Sequence, residues 1–283
     1  IDAKAMLSFL KISQWTARKL DKKVTQQVAL DNNINSSQGS YYKTLISGDQ
    51  LKKIQKKANE LRAYHYHMTL PWSDEGPRVL AADAYFEYMQ EIGRLRGEFD
   101  ALVNDFVQAY PFAREEAKRT LGSLFDEADY PPTDQVAEKF KARVDIRPLP
   151  TGDDFRVALS EDEVARVRGE IEQQTQTQIQ SSMEAVYERI TKVIDQYIDR
   201  LEEEDTVFRN SLVENAQELA RLLPSFNLTN DPELNKLADR IQQDLCKFQP
   251  DDLRNNMGAR KEAFNSARDI KSELLETLSG NYS

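Results

Sequence analysis

The chain has 283 residues, 40% hydrophobic and 30% charged, with a net charge of −10 and ten each of glycine and proline. That balance describes a helix-rich protein of one large or two small domains and argues against a compact α/β enzyme. A single cysteine, Cys246, rules out an intramolecular disulfide, and no apolar run approaches the ~20 residues a membrane-spanning helix needs.

The charge is unevenly spread. Residues 1–70 hold 12 Lys/Arg against 5 Asp/Glu, about +7, and the remaining residues hold 26 against 43, about −17. A basic head on an acidic body suits contact with nucleic acid or with an acidic protein, a second copy included.

Residues 3–20 are expected to form a helix that buries Leu7, Leu10, Ile12, Trp15 and Leu20. Its apolar start is broken by Lys4 and Ser8 and makes a poor signal peptide. Trp15 with Arg18, Lys19, Lys22 and Lys23 forms a basic, aromatic corner. The Asn/Ser-rich stretch 31–40 reads as a loop. Residues 49–63 form a second expected helix, with Leu51, Ile54, Ala58 and Leu61 inward and the pairs Lys52/Lys53 and Lys56/Lys57 outward. Residues 64–72 (Tyr64-His-Tyr-His-Met-Thr-Leu-Pro-Trp72) lead into Pro71, Gly76 and Pro77, which are expected to end the segment as an extended or turning connection.

Tyr85, Tyr88, Ile92, Leu95, Phe99, Leu102, Phe106 and Tyr110 recur three and four apart, the pattern of a helix that Pro111 should kink or break. Residues 141–146 and 155–159 alternate with the two-residue period of strands, with Pro148, Pro150 and Gly152 between them, and predict a β-hairpin. Ser160-Glu-Asp-Glu163 is a capping-box signature opening a helix that runs to about Asp205. Its seam is Val164, Val167, Ile171, Met183, Val186, Ile190, Val193, Tyr197 and Leu201, interrupted by a polar middle, Gln173 to Ser182. Three further helices are expected at 207–223, 233–248 and 251–278.

The expected fold is mainly α. The two long helices form an elongated antiparallel, coiled-coil-like hairpin with the β-hairpin at its tip, and helical regions flank it. The domains are then a basic helical region at 1–80, the arm at 81–206, and C-terminal helices at 207–283 packing at its base.

Chemistry is sparsely signalled. His65 and His67, both histidines of the chain, would share one face of an extended segment, but no third metal ligand stands nearby, and a packed joint is the plainer reading. There is no nucleophile elbow, no phosphate-binding loop and no Cys–His context. Neither an enzyme nor a cofactor or metal site is expected. The residues suited to nucleic acid or an acidic partner are Arg18, Lys19, Lys22, Lys23, Lys52, Lys53, Lys56 and Lys57 for charge, with Tyr64, Tyr66 and Trp72 for stacking. Glu202 to Asp205 reads as a solvated helix end.

Thr69-Leu-Pro-Trp72, Gly152-Asp-Asp-Phe-Arg-Val157 leading into Leu159-Ser160-Glu161, and Leu228-Thr-Asn-Asp-Pro-Glu-Leu234 resemble a domain-of-unknown-function family of helical proteins encoded by phages and conjugative elements. Members of that family often sit near genes for a MoxR-like AAA+ ATPase, a von Willebrand-type metal-binding partner, or phage recombination. The resemblance implies a mobile-element protein in the cytoplasm of a bacterial host, or in a virion, acting within an assembly. The expected function is a self-associating, non-enzymatic adaptor or structural subunit, with protein partners such as an AAA+ ATPase or another phage component and no membrane. The alternative is a DNA-binding accessory of phage recombination or replication that uses the basic N-terminal region.

Overall fold

The computed structural model describes residues 4–73, 76–154, 157, 160–202 and 208–281. In chain order the elements are β1 (Ala5–Ser13), β2 (Arg18–Leu20), α1 (Lys22–Asp31), β3 (Tyr42–Thr44), α2 (Asp49–Met68), β4 (Leu70–Pro71), β5 (Arg78–Ala81), α3 (Tyr85–Leu121), β6 (Lys141–Pro148), α4 (Glu161–Leu201), α5 (Ser211–Phe226), α6 (Pro232–Asp244), α7 (Pro250–Asn255) and α8 (Met257–Asn281), with short 3₁₀ turns between some of them. The protein is mainly helical with a small sheet, as its composition implies. It divides into two interleaved units, Ile1–Phe9 with Tyr66–Glu87 and Asp145–Ser283, and Leu10–His65 with Tyr88–Val144.

The first unit is organised by α4. Ser160 caps it by accepting from the Glu163 backbone N–H at 3.4 Å, while the Glu163 carboxylate turns to Arg166 instead of completing a capping box. Ile179, Met183, Val186, Ile190, Ile194, Tyr197 and Leu201 are buried at three- and four-residue spacing. Of the expected seam, Met183, Val186, Ile190, Tyr197 and Leu201 are therefore buried, while Val164, Val167, Ile171 and Val193 are half-buried; the partner of the buried part in this unit is α8, with α5 beside it. Buried Ala263 and Ala267 of α8 allow close approach, and Ile270 and Leu274 fill between. The Tyr88–Tyr110 series that was expected to supply the other rod of an antiparallel hairpin belongs to the second unit. Periodicity gives a helix its buried face but carries no label for the face opposite.

The polar middle of α4 also has an occupant. The turn Gly152–Asp154 packs on it, Thr175 donates its hydroxyl to the Pro150 carbonyl at 3.2 Å, and Ser182 donates to the Pro71 carbonyl at 2.5 Å. Gly152 is buried there because no Cβ fits: it would lie 2.8 Å from Glu172 Oε1 and 3.2 Å from the Arg168 backbone oxygen.

The sheet has the order β4-β5-β1-β6, with β1 antiparallel to β5 in the register Ala5↔Ala81 to Ser8↔Arg78. This corrects the helix expected over residues 3–20. Leu7, Leu10 and Ile12 fit either period. What decides is the buried Val79-Leu80-Ala81 strand, which offers a hydrogen-bonded edge that a helix cannot use. β6, the first strand of the expected hairpin, joins this sheet beside β1. The second strand expected there, 155–159, and the acidic run after Glu202 lie outside the described residues apart from Val157.

Two helix C-termini in this unit are closed by distant arginines. Arg189 of α4 donates to the carbonyls of Tyr66 (2.8 Å), His67 (3.0 Å) and Thr69 (2.5 Å), around the C-terminus of α2, and stacks on Phe226 at 4.9 Å. Its burial, aided by the nearby Arg78 charge, lowers its pKa to about 10. Arg260 of α8 donates to the Arg200 carbonyl at 2.9 Å and the Leu201 carbonyl at 3.4 Å, at the end of α4. A cation at this position meets the negative end of the helix dipole and satisfies orphan carbonyls.

In the second unit α3 buries Tyr88, Ile92, Leu95, Phe99, Val103, Phe106 and Tyr110. Pro111 does not break it; the helix continues to Leu121. Pro111 itself is exposed, while Tyr110 is fully buried with its hydroxyl on the Pro131 carbonyl at 2.8 Å, so packing offsets the one hydrogen bond the proline removes. The α5 helix similarly runs through Pro224 to Phe226. Among the described residues, no helix is long and apolar enough to cross a membrane.

A candidate nucleic-acid interface in the second unit

One face of α2 builds the site. Lys52, Gln55, Lys56, Asn59 and Arg62 recur three and four apart, while Ile54, Ala58 and Leu61 of the opposite face are buried at 1%, 0% and 0% exposure. The polar face borders an open groove of about 1090 Å³. The far side is made by the end of β1, by Trp15, and by the facing strand positions Arg18 and Thr44. Four cations line it (Arg18, Lys52, Lys56 and Arg62), and its other lining residues carry no carboxylate.

The chain reaches this wall through a strained residue. Ala17 is fully buried with φ 48°, and its carbonyl accepts the Leu45 N–H at 2.7 Å. The left-handed conformation costs an L-residue about 1–2 kcal/mol, and here it turns the backbone between Trp15 and Arg18, both of which meet the groove. Trp15 is half-buried and packs against Tyr110 edge to face at 5.8 Å and against Phe106 at 6.4 Å.

The remaining basic candidates are placed elsewhere. Lys19 and Lys43, opposite each other on the β2–β3 ribbon, both bind Asp129, Lys43 at 2.6 Å. Burial of the Asp129 carboxyl opposes its ionisation, but the hydrogen bonds from Lys19 and Lys43 outweigh this and hold it below the usual carboxylate range. Lys57 is taken by Glu60 and, at 2.7 Å, by Glu98, and those two hydrogen bonds raise its pKa. Lys53 is exposed on α2 outside the groove, and Lys22 and Lys23 are exposed in the first turn of α1, capped by Asp21. Lys52 does contact Asp49 at 3.2 Å, but both side chains are more than four-fifths exposed, where such a pair is worth little.

The aromatic candidates are not gathered into one platform. Tyr64 stacks on Tyr88 in the second unit, with ring centroids 6.2 Å apart. In the first unit, Tyr66 carries the Arg78 guanidinium over its ring at 4.7 Å, and Trp72 is buried against a recess of about 410 Å³ beside Pro150 and Ile171.

The histidines are also placed differently from the extended segment expected. The α2 helix continues to Met68, so residues two apart point to different sides. His65 is buried with Nδ1 2.8 Å from the Tyr88 hydroxyl; His67 is exposed with Nε2 2.9 Å from Glu218 Oε1. Glu218 is held down to about 2, chiefly by Arg221, with His67 adding to it against the opposing effect of burial. Among the described residues, no group of three or more His, Cys, Asp or Glu is disposed to hold a metal ion.

Sequence reasoning missed Arg62 and the ribbon. Arg62 was findable, because it continues the Lys52–Lys56 stripe through Asn59. Arg18 and Thr44 come together only through a register that no local pattern announces. Charge follows the same division: the second unit has 19 Lys/Arg against 15 Asp/Glu, about +4, and the first 19 against 33, about −14. Comparison with protein-family models, curated proteins and solved structures finds no match to this chain.

Proposed function

We propose that this protein is a non-enzymatic, nucleic-acid-binding accessory whose second unit holds a sugar–phosphate backbone in the α2 groove. The observation that carries this reading is the groove's charge: four cations facing one channel without a carboxylate, on a protein of net charge −10. Elsewhere in the same unit the lysines at 19, 43 and 57 are each met by a carboxylate. Nucleic acid attracts such an array through release of condensed counterions, which makes binding steeply salt-dependent. The reading accords with the resemblance to phage- and conjugative-element proteins and with a role in recombination or replication in a bacterial host's cytoplasm. It is tested by fluorescence anisotropy with labelled 20-nucleotide DNA, single- and double-stranded, at 50 mM salt. Saturable binding lost in Lys52→Glu/Lys56→Glu supports it, and no binding at that salt ends it.

A second reading, a self-associating adaptor or structural subunit working with an AAA+ ATPase or another phage component, is favoured by large apolar side chains left in solvent. Leu30 is 73%, Phe86 81% and Phe112 80% exposed. In that reading the 41-residue α4 and the 37-residue α3 serve as coiled-coil-like arms that present surfaces. A native mass equal to one chain at micromolar concentration, with no stable partner among co-expressed phage proteins, removes its support.

A further inference from the structure

We infer that the groove is a single-strand site, in which Trp15 and Tyr42 are stacking rings for unpaired bases set alongside the cations. This rests on the nucleic-acid reading above and adds the form of nucleic acid and the residues that select it.

The β2–β3 ribbon supplies the argument. Its register opposes Arg18 to Thr44, Lys19 to Lys43 and Leu20 to Tyr42. Directly opposed residues share a face, and faces alternate along each strand. Lys19 and Lys43 define the inner face, because both reach the buried carboxylate of Asp129. The outer face therefore carries Arg18, Thr44, Leu20 and Tyr42. Arg18 and Thr44 line the groove, so the Leu20–Tyr42 pair extends the same surface by one two-residue step, about 7 Å. Tyr42 is 57% exposed on that extension. Trp15 stands on the groove wall, held by Tyr110 and Phe106 and still accessible from the channel.

A line of cations alone does not distinguish a duplex from a single strand. Both offer phosphates, and a duplex keeps its bases stacked on one another. Exposed rings beside the phosphate contacts change that, because only an unpaired base can offer its face to a tyrosine or tryptophan, whatever its identity. The ribbon thus converts a general polyanion groove into one that prefers single strands with little sequence preference. Leu20, 37% exposed next to Tyr42, adds apolar surface that a base covers and a phosphate does not.

The test compares oligo(dT) of 20 nucleotides, a 20-base-pair duplex and inorganic polyphosphate at 100 mM salt, read by anisotropy or competition. The expected result is an affinity for oligo(dT) at least 10-fold above that for the duplex and for polyphosphate. Tyr42→Ala, at an exposed site that leaves the fold intact, is expected to lower oligo(dT) affinity about 10-fold. Duplex affinity should stay within twofold, and the salt slope for oligo(dT) should not move. Tryptophan emission is expected to be quenched on oligo(dT) binding, and Trp15→Phe to remove that quench although Trp72 remains. Equal affinities for single strand and duplex, or a Tyr42→Ala variant with wild-type oligo(dT) affinity, overturns the single-strand assignment and leaves the phosphate groove standing. Failure of all three ligands to bind overturns both.

Discussion

Neutralising two of the four groove cations has a calculable consequence. If Arg18, Lys52, Lys56 and Arg62 each displace one counterion from a single strand, the slope of log K against log salt is about −0.7 per contact, or about −2.8 in all. Raising salt from about 50 to 200 mM then weakens binding ~50-fold. Lys52→Gln/Lys56→Gln leaves two contacts and a slope of about −1.4, so the same change in salt costs only ~7-fold. The matched control is Lys22→Gln/Lys53→Gln, which removes the same charge from exposed positions outside the groove and should leave the slope near −2.8. The assay is an anisotropy titration with labelled oligo(dT) at four or five salt concentrations. Equal shifts of slope in both variants would mean that net charge, and not this channel, draws the ligand, and would falsify the placement of the backbone in it.

Three further outcomes concern stability. The Tyr197 hydroxyl is fully buried with no hydrogen-bond partner among the described residues, so Tyr197→Phe should be neutral or stabilise by up to ~1 kcal/mol in urea unfolding; a loss above that would reveal a partner. Gly152→Ala pushes a methyl group against the Arg168 backbone oxygen and should cost about 1–3 kcal/mol, whereas Gly93→Ala, where a Cβ meets nothing within 4 Å, should not destabilise. Asp129→Asn removes the nearer carboxylate from the buried Lys43 ammonium, leaving it the Leu124 carbonyl at 2.7 Å and Asp21 at 3.9 Å, and should cost about 3 kcal/mol. Because the folded-state pKa of Asp129 lies below its ordinary value near 4, its stabilisation is complete above that pH and fades as the pH falls through the folded value. Wild type should therefore lose stability on acidification below about pH 4 more steeply than Asp129→Asn, and parallel pH profiles would contradict the ion pair.

The long helices were legible because each buries one continuous stripe: Tyr88 to Tyr110 in α3 and Met183 to Leu201 in α4 can be read from spacing alone. What spacing omits is the partner. Within its own unit the α4 seam closes on α8, whose small Ala263 and Ala267 make a weak periodic signal. Helix ends were harder. Residues 64–68 looked extended because Pro71, Gly76 and Pro77 follow them, yet α2 persists to Met68, where Arg189, more than a hundred residues away, holds its carbonyls. The N-terminal strand was missed because its residues satisfy either period and only the β5 edge chooses between them. At the site, the Lys52–Lys56 stripe was visible as a repeating pair. Its separation from Lys53 and Lys57 follows from helical geometry, and the contribution of the ribbon needed the fold.

The interleaving of the two units has a consequence for how the protein is made. β1 leaves the ribosome before both of its neighbours, β5 and β6, which begin roughly 65 and 130 residues after it ends. At about 5–20 residues per second, that strand waits some 7–26 s for its second edge to be covered. The stretch 10–144 contains every residue of the second unit, so the groove is complete in sequence while α4 to α8 are still unsynthesised. A nascent chain would thus carry its basic channel before the acidic bulk of the molecule exists to counterbalance it, and a fragment ending before Lys141 would leave β1 an unfinished edge seeking another strand.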